Sequence, residues 1–566
     1  MKYSLSRTII LSFAVLIFAL ILIVKLFLVQ IVHSGSYLDR ADRQYATPSA
    51  NIFERGTIYL TRRDGELISA ATQTSGFKIA INPGEVVDPE KTFEKLSRIT
   101  TLEKNDFLEK AEKTADPYEE IVNHLSKKEA DAVSALKIPG VSVFKEKWRF
   151  YPGGNLASHL LGFVGFQGDE LSGRYGLERE YDDVLSRSKD NPYVNFFAEV
   201  FSDLRNVLFN GDDRGGDIIT TVEPTVQGFL EKELSLVREK YQADSIGGII
   251  MNPMDGSIYA MGVKPGFDPN NFSKVKNISA FTNPIVENIF EFGSVVKPLV
   301  MAGALDAGAV TAGTTYEDRG SIIVENKEIF NFDKKARGVV SMQEVLSQSL
   351  NTGMVFVYKK LGRQNMRDYM FSFGLKDKTG IDLPNEIGGR GANLTAPRDI
   401  EYANASFGQG IAWTPIGLIR ALASLANGGV LVTPHLVKEV KYTDGTGKKM
   451  KYEVKPTKIT KQTSEEITRM LVLIMDKALR SGAVKLEHWS VAMKTGTAQV
   501  ARPGGYYEDR YLHSFFGYFP AYNPKFIVLL YAVNPKGVRF SSETWTDPFL
   551  AITKFLLNYY EVPPDR

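Results

Sequence analysis

Three short runs, in order along the chain, carry residue types that could transfer an acyl group: Ser294-Val-Val-Lys297, Ser349-Leu-Asn351 and Lys494-Thr-Gly-Thr497. A serine hydroxyl is a weak nucleophile until a neighbouring base takes its proton. The chain has six histidines and shows no Ser-His-Asp arrangement, so lysine is the available base. Lys297 can act so only when neutral, and partial burial beside a second cation, Lys494, would lower its pKa. Ser349 could relay a proton to a leaving amine, while Asn351 holds Lys297 and a substrate amide. Thr495 and Thr497 offer hydroxyls, and Lys494 a charge, to a substrate carboxylate; Gly496 lets the backbone approach closely. The backbone N–H groups of Ser294 and Thr497 are candidates for an oxyanion hole.

Each run alone is a weak signal. Ser-x-x-Lys also starts at Ser75, Ser134, Ser142, Ser186 and Ser273, Ser-x-Asn at Ser49, and Lys-Thr-Gly at Lys378. Context separates the copies. Ser294 follows Gly293 and precedes Pro298, and an apolar run continues from Leu299. Proline cannot donate to the carbonyl four residues back, so a helix is expected to begin near Ser294. Its free N–H groups would then favour developing negative charge. Lys297, three residues on, shares the helix face and lies within reach of the hydroxyl. Lys494 ends an apolar stretch, as a strand beside a cleft would, whereas Lys378 leads into Ile-Asp-Leu-Pro-Asn-Glu, which reads as a loop.

The elements that must position these residues are legible in outline. Asp64-Gly65 between short apolar pairs predicts a hairpin. The run Asn210-Gly-Asp-Asp-Arg-Gly-Gly216 is the clearest punctuation in the chain and is expected to be a boundary. Beyond it residues 217–222 predict a strand, and Pro224 opens a helix to about Tyr241. Residues 246–252 and 257–263 predict a hairpin turning at Met254-Asp255-Gly256. Three further strands are expected at 490–499, 514–519 and 526–533, then a last helix capped at Asp547-Pro548. Residues 294–480 read as mostly helical. The expected fold is α+β: a five-strand antiparallel sheet with terminal helices and a helical insert.

At 566 residues, 43% hydrophobic and 24% charged, the chain is long enough for several folded units. Its 68 basic residues against 66 acidic ones give no reason to expect a nucleic-acid partner. The absence of cysteine removes disulfides, thiolate metal sites and a cysteine nucleophile. Residues 8–24 are apolar apart from two hydroxyls, and the run resumes after Lys25. Roughly 20 such residues suffice to cross a bilayer. With no small-x-small cleavage site after His33, the expectation is a retained anchor with the rest of the chain outside, although flanking Arg40 and Arg43 weaken the charge bias.

With these motifs in place the chain resembles a class B penicillin-binding protein of the division-type monofunctional group. Arg55-Gly56-Thr-Ile-Tyr with Asp64-Gly65-Glu66, Tyr151-Pro152-Gly153 to Gly162, and Gly176-Leu-Glu178 resemble pedestal motifs of that family. Asn252-Pro-Met-Asp-Gly256, Ser406-Phe-Gly408-Gln-Gly410, Thr414-Pro415 and Ala426-Asn-Gly-Gly429 resemble its transpeptidase landmarks. Leu350 stands where the family usually has a small residue. The resemblance implies a tail and anchor over 1–34, an elongated mixed α/β pedestal over 35–215, and a serine transpeptidase domain over 216–566. It implies Ser294, Lys297, Ser349, Asn351 and Lys494 as catalytic, and Thr495, Gly496 and Thr497 as substrate-binding, with no metal or cofactor. Peptidoglycan stem peptides would be substrates and β-lactams acylating ligands. Further expected partners are a membrane-embedded SEDS-family glycosyltransferase and other divisome or elongasome proteins, at the bacterial cytoplasmic membrane. A D,D-carboxypeptidase and a catalytically decayed scaffold are the alternatives; a β-lactamase would need none of the extra length, and a β-lactam-sensing receptor would need a signalling domain.

Overall fold

The computed structural model describes residues 54–167, 170–186, 215–502 and 504–566, with Phe18. The apolar run expected as an anchor lies outside the described residues, Phe18 apart. Among the described residues no helix is long and apolar enough to cross a membrane. Most of the boundary expected at residues 210–216 also lies outside them.

The chain divides into two compact units, one holding residues 75–147 and the other 54–74 with 148–566. In the smaller unit the helices Pro89–Ser97, Lys104–Ala111 and Lys127–Ala135 cover strand residues, burying Ile79, Ile81, Leu96, Phe107, Leu125 and Val133. Asp88 caps the first helix, and Ser126 with Glu129 forms a capping box on the third.

The larger unit is built on the expected five-strand sheet. Its order is Ala492–Arg502, Gly505–Phe519, Phe526–Val533, Ser245–Met251, Ile258–Lys264, antiparallel throughout. The inner strand Phe526–Val533 is apolar and buried, since both of its faces are covered. On one face lie the helices Pro224–Tyr241 and Ser541–Tyr559, held together by stacked Phe229 and Phe555 at 4.1 Å. Pro415–Ala426 and Lys461–Leu473 pack on the opposite side with Lys297–Asp306. That last helix is buried from Lys297 to Ala304, so it is apolar all round rather than amphipathic.

Three expectations need correction. The last helix begins at Ser541, not at Asp547-Pro548: the Glu543 carboxylate accepts from the Phe540 N–H, and Pro548 lies inside the helix. The two strands at 490–499 and 514–519 run on as a long hairpin to Arg502 and from Gly505; its exposed end lacks apolar alternation. Residues 294–480 include a small β region, where Thr315–Asp318 pairs with Gly338–Ser341 and Ser321–Val324 with Lys327–Phe330. The strand Gly216–Thr220 runs parallel to Ile58–Thr61 and carries Val437–Tyr442 on its other edge, outside the five-strand sheet. The hairpin at Asp64-Gly65 is present, with Gly65 at φ +89°.

The pedestal motifs converge on one buried ion cluster in this unit. Glu178 accepts from Arg55 Nε and Arg149 Nε, both at 2.6 Å, and from the Tyr151 hydroxyl at 3.2 Å. Arg55 also reaches Asp182 at 2.7 Å, and Arg149 the Gly56 carbonyl at 2.6 Å. Despite burial, the two guanidiniums hold the Glu178 carboxyl below the usual range.

Candidate active site

The turn that carries Ser294 is set by packing on both sides. Gly293–Val296 is a 3-10 turn that passes into the α-helix at Lys297, with Pro298 in its first turn where no N–H is missed. Gly293 has φ +60°, and a Cβ there would lie 3.1 Å from the Thr497 carbonyl. A Cβ on Gly408 would lie 2.1 Å from the Gly293 carbonyl, and the Gly293 N–H donates to the Gly408 carbonyl at 3.3 Å. Thus the segment containing Gly408 braces the turn that presents Ser294, which is half-buried.

Behind Ser294, Lys297 is fully buried. Its Nζ donates to the Ser349 carbonyl at 2.6 Å, to Ser349 Oγ at 3.2 Å and to Asn351 Oδ1 at 2.8 Å. Lys494 Nζ donates to the same Ser349 Oγ at 3.0 Å and to the Thr495 carbonyl at 3.0 Å. Two amines therefore meet on one hydroxyl. No carboxylate pairs with either amine among the described residues, so burial decides their state. It holds Lys297 well below the usual lysine range, with the neighbouring Lys494 charge adding to the effect. Burial alone brings Lys494 down to about 7. A Lys297 driven toward its neutral form, beside a Lys494 that titrates near 7, is an arrangement suited to accepting a proton.

Ser349 occupies the left-handed region, at φ +56°, uncommon for a residue with a Cβ. Leu350 is fully buried and does not line the cleft, so its bulk does not narrow the site. Asn351 begins the helix Asn351–Leu361, and its Nδ2 donates to the Phe330 carbonyl at 3.0 Å. Next to it Thr352, Asn331 and buried Asp318 form a hydrogen-bonded cluster that fixes the small β region to this helix start.

Ser294, Ser349, Asn351, Lys494, Thr495 and Thr497 line one cleft of about 1050 Å³. Of the eight expected site residues, only Lys297 and Gly496 lie off its surface. Thr495, Thr497 and Gln499 reach it at the two-residue period of a strand. Thr497 Oγ1 accepts from the Ser541 N–H at 3.0 Å and keeps its own proton to donate. Gly496 serves packing: a Cβ there would lie 2.5 Å from Ser514 Oγ and 2.6 Å from the Phe292 carbonyl.

Sequence reasoning missed the cleft's aromatic rim. Phe332 and Phe540 meet edge to face at 5.8 Å, and both line the cleft with Arg337 and Arg539. No local pattern marks them, because they come from separate loops. The set-aside Lys378-Thr-Gly is a structural loop: Glu386 accepts from the N–H and hydroxyl of Thr379, both at 2.6 Å, and from the Gly380 N–H at 3.0 Å. The Ser-x-Asn copy at Ser49 lies outside the described residues.

Residues 246–551 match the family of the penicillin binding protein transpeptidase domain, and residues 53–196 that of the penicillin-binding protein dimerisation domain. Stage V sporulation protein D of Bacillus subtilis is 31% identical over 496 residues, covering 86% of this chain and 75% of that protein. The chain belongs to the class B penicillin-binding proteins. Peptidoglycan D,D-transpeptidase FtsI of Escherichia coli K12 is 26% identical over 448 residues, 77% of this chain and 71% of that one. The crystal structure of penicillin binding protein 2X from Streptococcus thermophilus shares the fold of this family member, with a TM-score of 0.71 at 20% identity, covering 90% of this chain and 81% of that one. Penicillin binding protein 3 from Mycobacterium tuberculosis, complexed with aztreonam, has a TM-score of 0.69 at 20% identity over 91% of this chain and 98% of that one.

Proposed function

We propose that this protein is a serine D,D-transpeptidase that cross-links peptidoglycan stem peptides, with residues 216–566 carrying the chemistry on a pedestal over 35–215. The observation that carries the reading is the pair of buried lysines meeting on the hydroxyl of Ser349, in the cleft that Ser294 also lines. Lys297 takes the Ser294 proton as Oγ attacks the carbonyl carbon of the donor D-Ala-D-Ala bond. The N–H groups of Ser294 and Thr497 receive the oxyanion. The C–N bond breaks, and the proton passes by way of Ser349 to the departing D-alanine amine. An amine of a second stem then attacks the acyl-Ser294 ester, loses its proton to the same relay and restores the serine. Lys494, Thr495 and Thr497 hold the donor carboxylate.

The names of relatives such as the Escherichia coli transpeptidase support this reaction over a carboxypeptidase or a decayed scaffold. The aztreonam and ampicillin complexes of the Mycobacterium tuberculosis relative support acylation by β-lactams. The apolar run at residues 8–32 supports a single-pass anchor in the bacterial cytoplasmic membrane. A septal role beside a SEDS-family glycosyltransferase completes the proposal. The test is fluorescent penicillin labelling of fractionated cells, followed by intact-protein mass spectrometry. One adduct is expected, in the membrane fraction, absent from Ser294→Ala. An adduct that persists in that variant sinks the nucleophile, and a labelled protein cleaved near His33 sinks the anchor.

A further inference from the structure

The three residues before Ser294 are each tied to a neighbouring segment. The Phe292 carbonyl accepts from Ser514 Oγ at 3.0 Å, and the Gly293 N–H donates to the Gly408 carbonyl at 3.3 Å. The third tie is a side chain. Glu291 Oε2 accepts from the Tyr506 hydroxyl at 2.9 Å. Ser514 and Tyr506 lie on the same strand, Gly505–Phe519, but in different settings. Ser514 is fully buried, in the core of the sheet, whereas Tyr506 is half-buried at the start of the strand, next to the hairpin end.

Between these points the hairpin carries Tyr511 on one strand and Gln499 on the other, both lining the cleft. Its ladder is interrupted by a register shift between Gln499 and Ala501, and Glu508, Asp509 and Arg510 are exposed. Little in the hairpin's own pairing therefore fixes its end relative to Ser294. The Gly410 N–H, next to the cleft-lining Gln409, lies close enough to favour the charged form of the same carboxylate. Burial raises the Glu291 carboxyl above the usual carboxylate range, while the Gly410 N–H and Tyr506 hydroxyl oppose that rise. A half-buried carboxylate with no ion-pair partner among the described residues is a costly way to fill space.

We propose that Glu291 is a positioning residue for acylation: through Tyr506 it clamps the 492–519 hairpin, and with it the cleft wall, to the turn that presents Ser294. The inference rests on Ser294 being the nucleophile. Holding that wall in place matters because small misplacements of reacting groups cost rate out of proportion to their size.

The experiment uses the full-length protein in detergent and stopped-flow acylation by a chromogenic β-lactam, separating the first-order acylation constant from the preceding binding constant. Glu291→Ala should lower the acylation constant by about tenfold or more, on the scale known for misplaced catalytic geometry. Tyr506→Phe, which removes only one hydroxyl, should lower it by severalfold. The double variant should be no slower than Glu291→Ala alone, because the clamp is then already open. Glu291→Gln keeps an acceptor oxygen and should retain most of the rate. The binding constant should move little throughout. The clamp is overturned if the two single losses multiply, if Glu291→Gln is as slow as Glu291→Ala, or if only melting temperature changes. A label that survives Ser294→Ala overturns the nucleophile itself, and the clamp with it.

Discussion

The two lysines predict a pH–rate profile whose alkaline limb belongs to one of them. Burial brings Lys494 to about 7, while burial and the neighbouring Lys494 charge hold Lys297 well below the usual lysine range. The proposed carboxylate contact needs Lys494 charged, and that form is lost as pH rises through about 7. A group of this pKa is about half protonated at pH 7 and about one part in a hundred at pH 9. The second-order acylation constant for a carboxylate-bearing chromogenic β-lactam should therefore fall about 50-fold over those two units. Lys494→Arg keeps a charge that does not titrate. It should retain measurable activity and lose the alkaline limb, whereas Lys494→Ala should lose the activity. Lys297→Ala should be slower by about 10² or more at every pH, the scale of general-base catalysis. Lys297→Arg should fail nearly as badly, since guanidinium accepts no proton. Both amines donate to Ser349 Oγ, so the Lys494 and Lys297 variants together assign the limb. Stopped-flow acylation from pH 5 to 9 reads all of this. A flat wild-type profile above pH 7, an alkaline limb that persists in Lys494→Arg, or a fast Lys297→Arg would refute the reasoning.

Two stability predictions follow from the same electrostatics. A lysine whose folded pKa is about 7, against 10.5 when unfolded, penalises folding fully below pH 7 and not at all above about pH 10.5. Lys494→Met should then stabilise the protein at pH 7 by a few kcal/mol, with a ceiling of about 5 from the shift. The gain should shrink toward pH 10 in chemical denaturation, and a gain that grew with pH would reverse the sign claimed here. In the cluster around Arg55, Glu178→Ala leaves Arg55 with Asp182 alone, strands Arg149 in the core and should cost about 3–5 kcal/mol; a melting temperature unchanged from wild type would show the cluster to be dispensable.

What was legible in the sequence is what local chemistry determines. The Gly293-Ser294 turn, the strand that carries Lys494 and the hairpin at Asp255-Gly256 each carry their own signal in turn residues or apolar period. The start of the last helix did not, because Pro548 looks like a first-turn proline while the cap comes from Glu543 reaching back to the Phe540 N–H. The reach of the 492–519 hairpin was also hidden: its end is exposed, so no apolar alternation marks it. Ser349's part as the meeting point of both lysines depends on a backbone at φ +56°, which nothing in Ser-Leu-Asn announces. Gly496 was expected to let the backbone approach closely, but which groups approach it, the Phe292 carbonyl and Ser514 Oγ, was not visible in the local sequence. Long-range packing decided each of these cases.

A buried charge can be silenced in two ways, and this protein uses both in places that differ in purpose. In the pedestal, Glu178 lies between two guanidiniums, which keep it ionised and satisfied. Pairing of that kind locks protonation states and suits a structural joint. At the cleft, Lys297 and Lys494 have no carboxylate partner among the described residues, and burial drives them toward the neutral form instead. A carboxylate placed beside Lys297 would have kept it charged and useless as a base. One placed beside Lys494 would have occupied the position that the substrate carboxylate is proposed to take. Withholding a counter-ion from both lysines thus leaves one free to accept a proton and the other to receive a ligand. The binding of a carboxylate should restore the charge on Lys494, which in turn disfavours a second charge on Lys297 by like-charge repulsion. Substrate binding would then prepare the base for the step that follows.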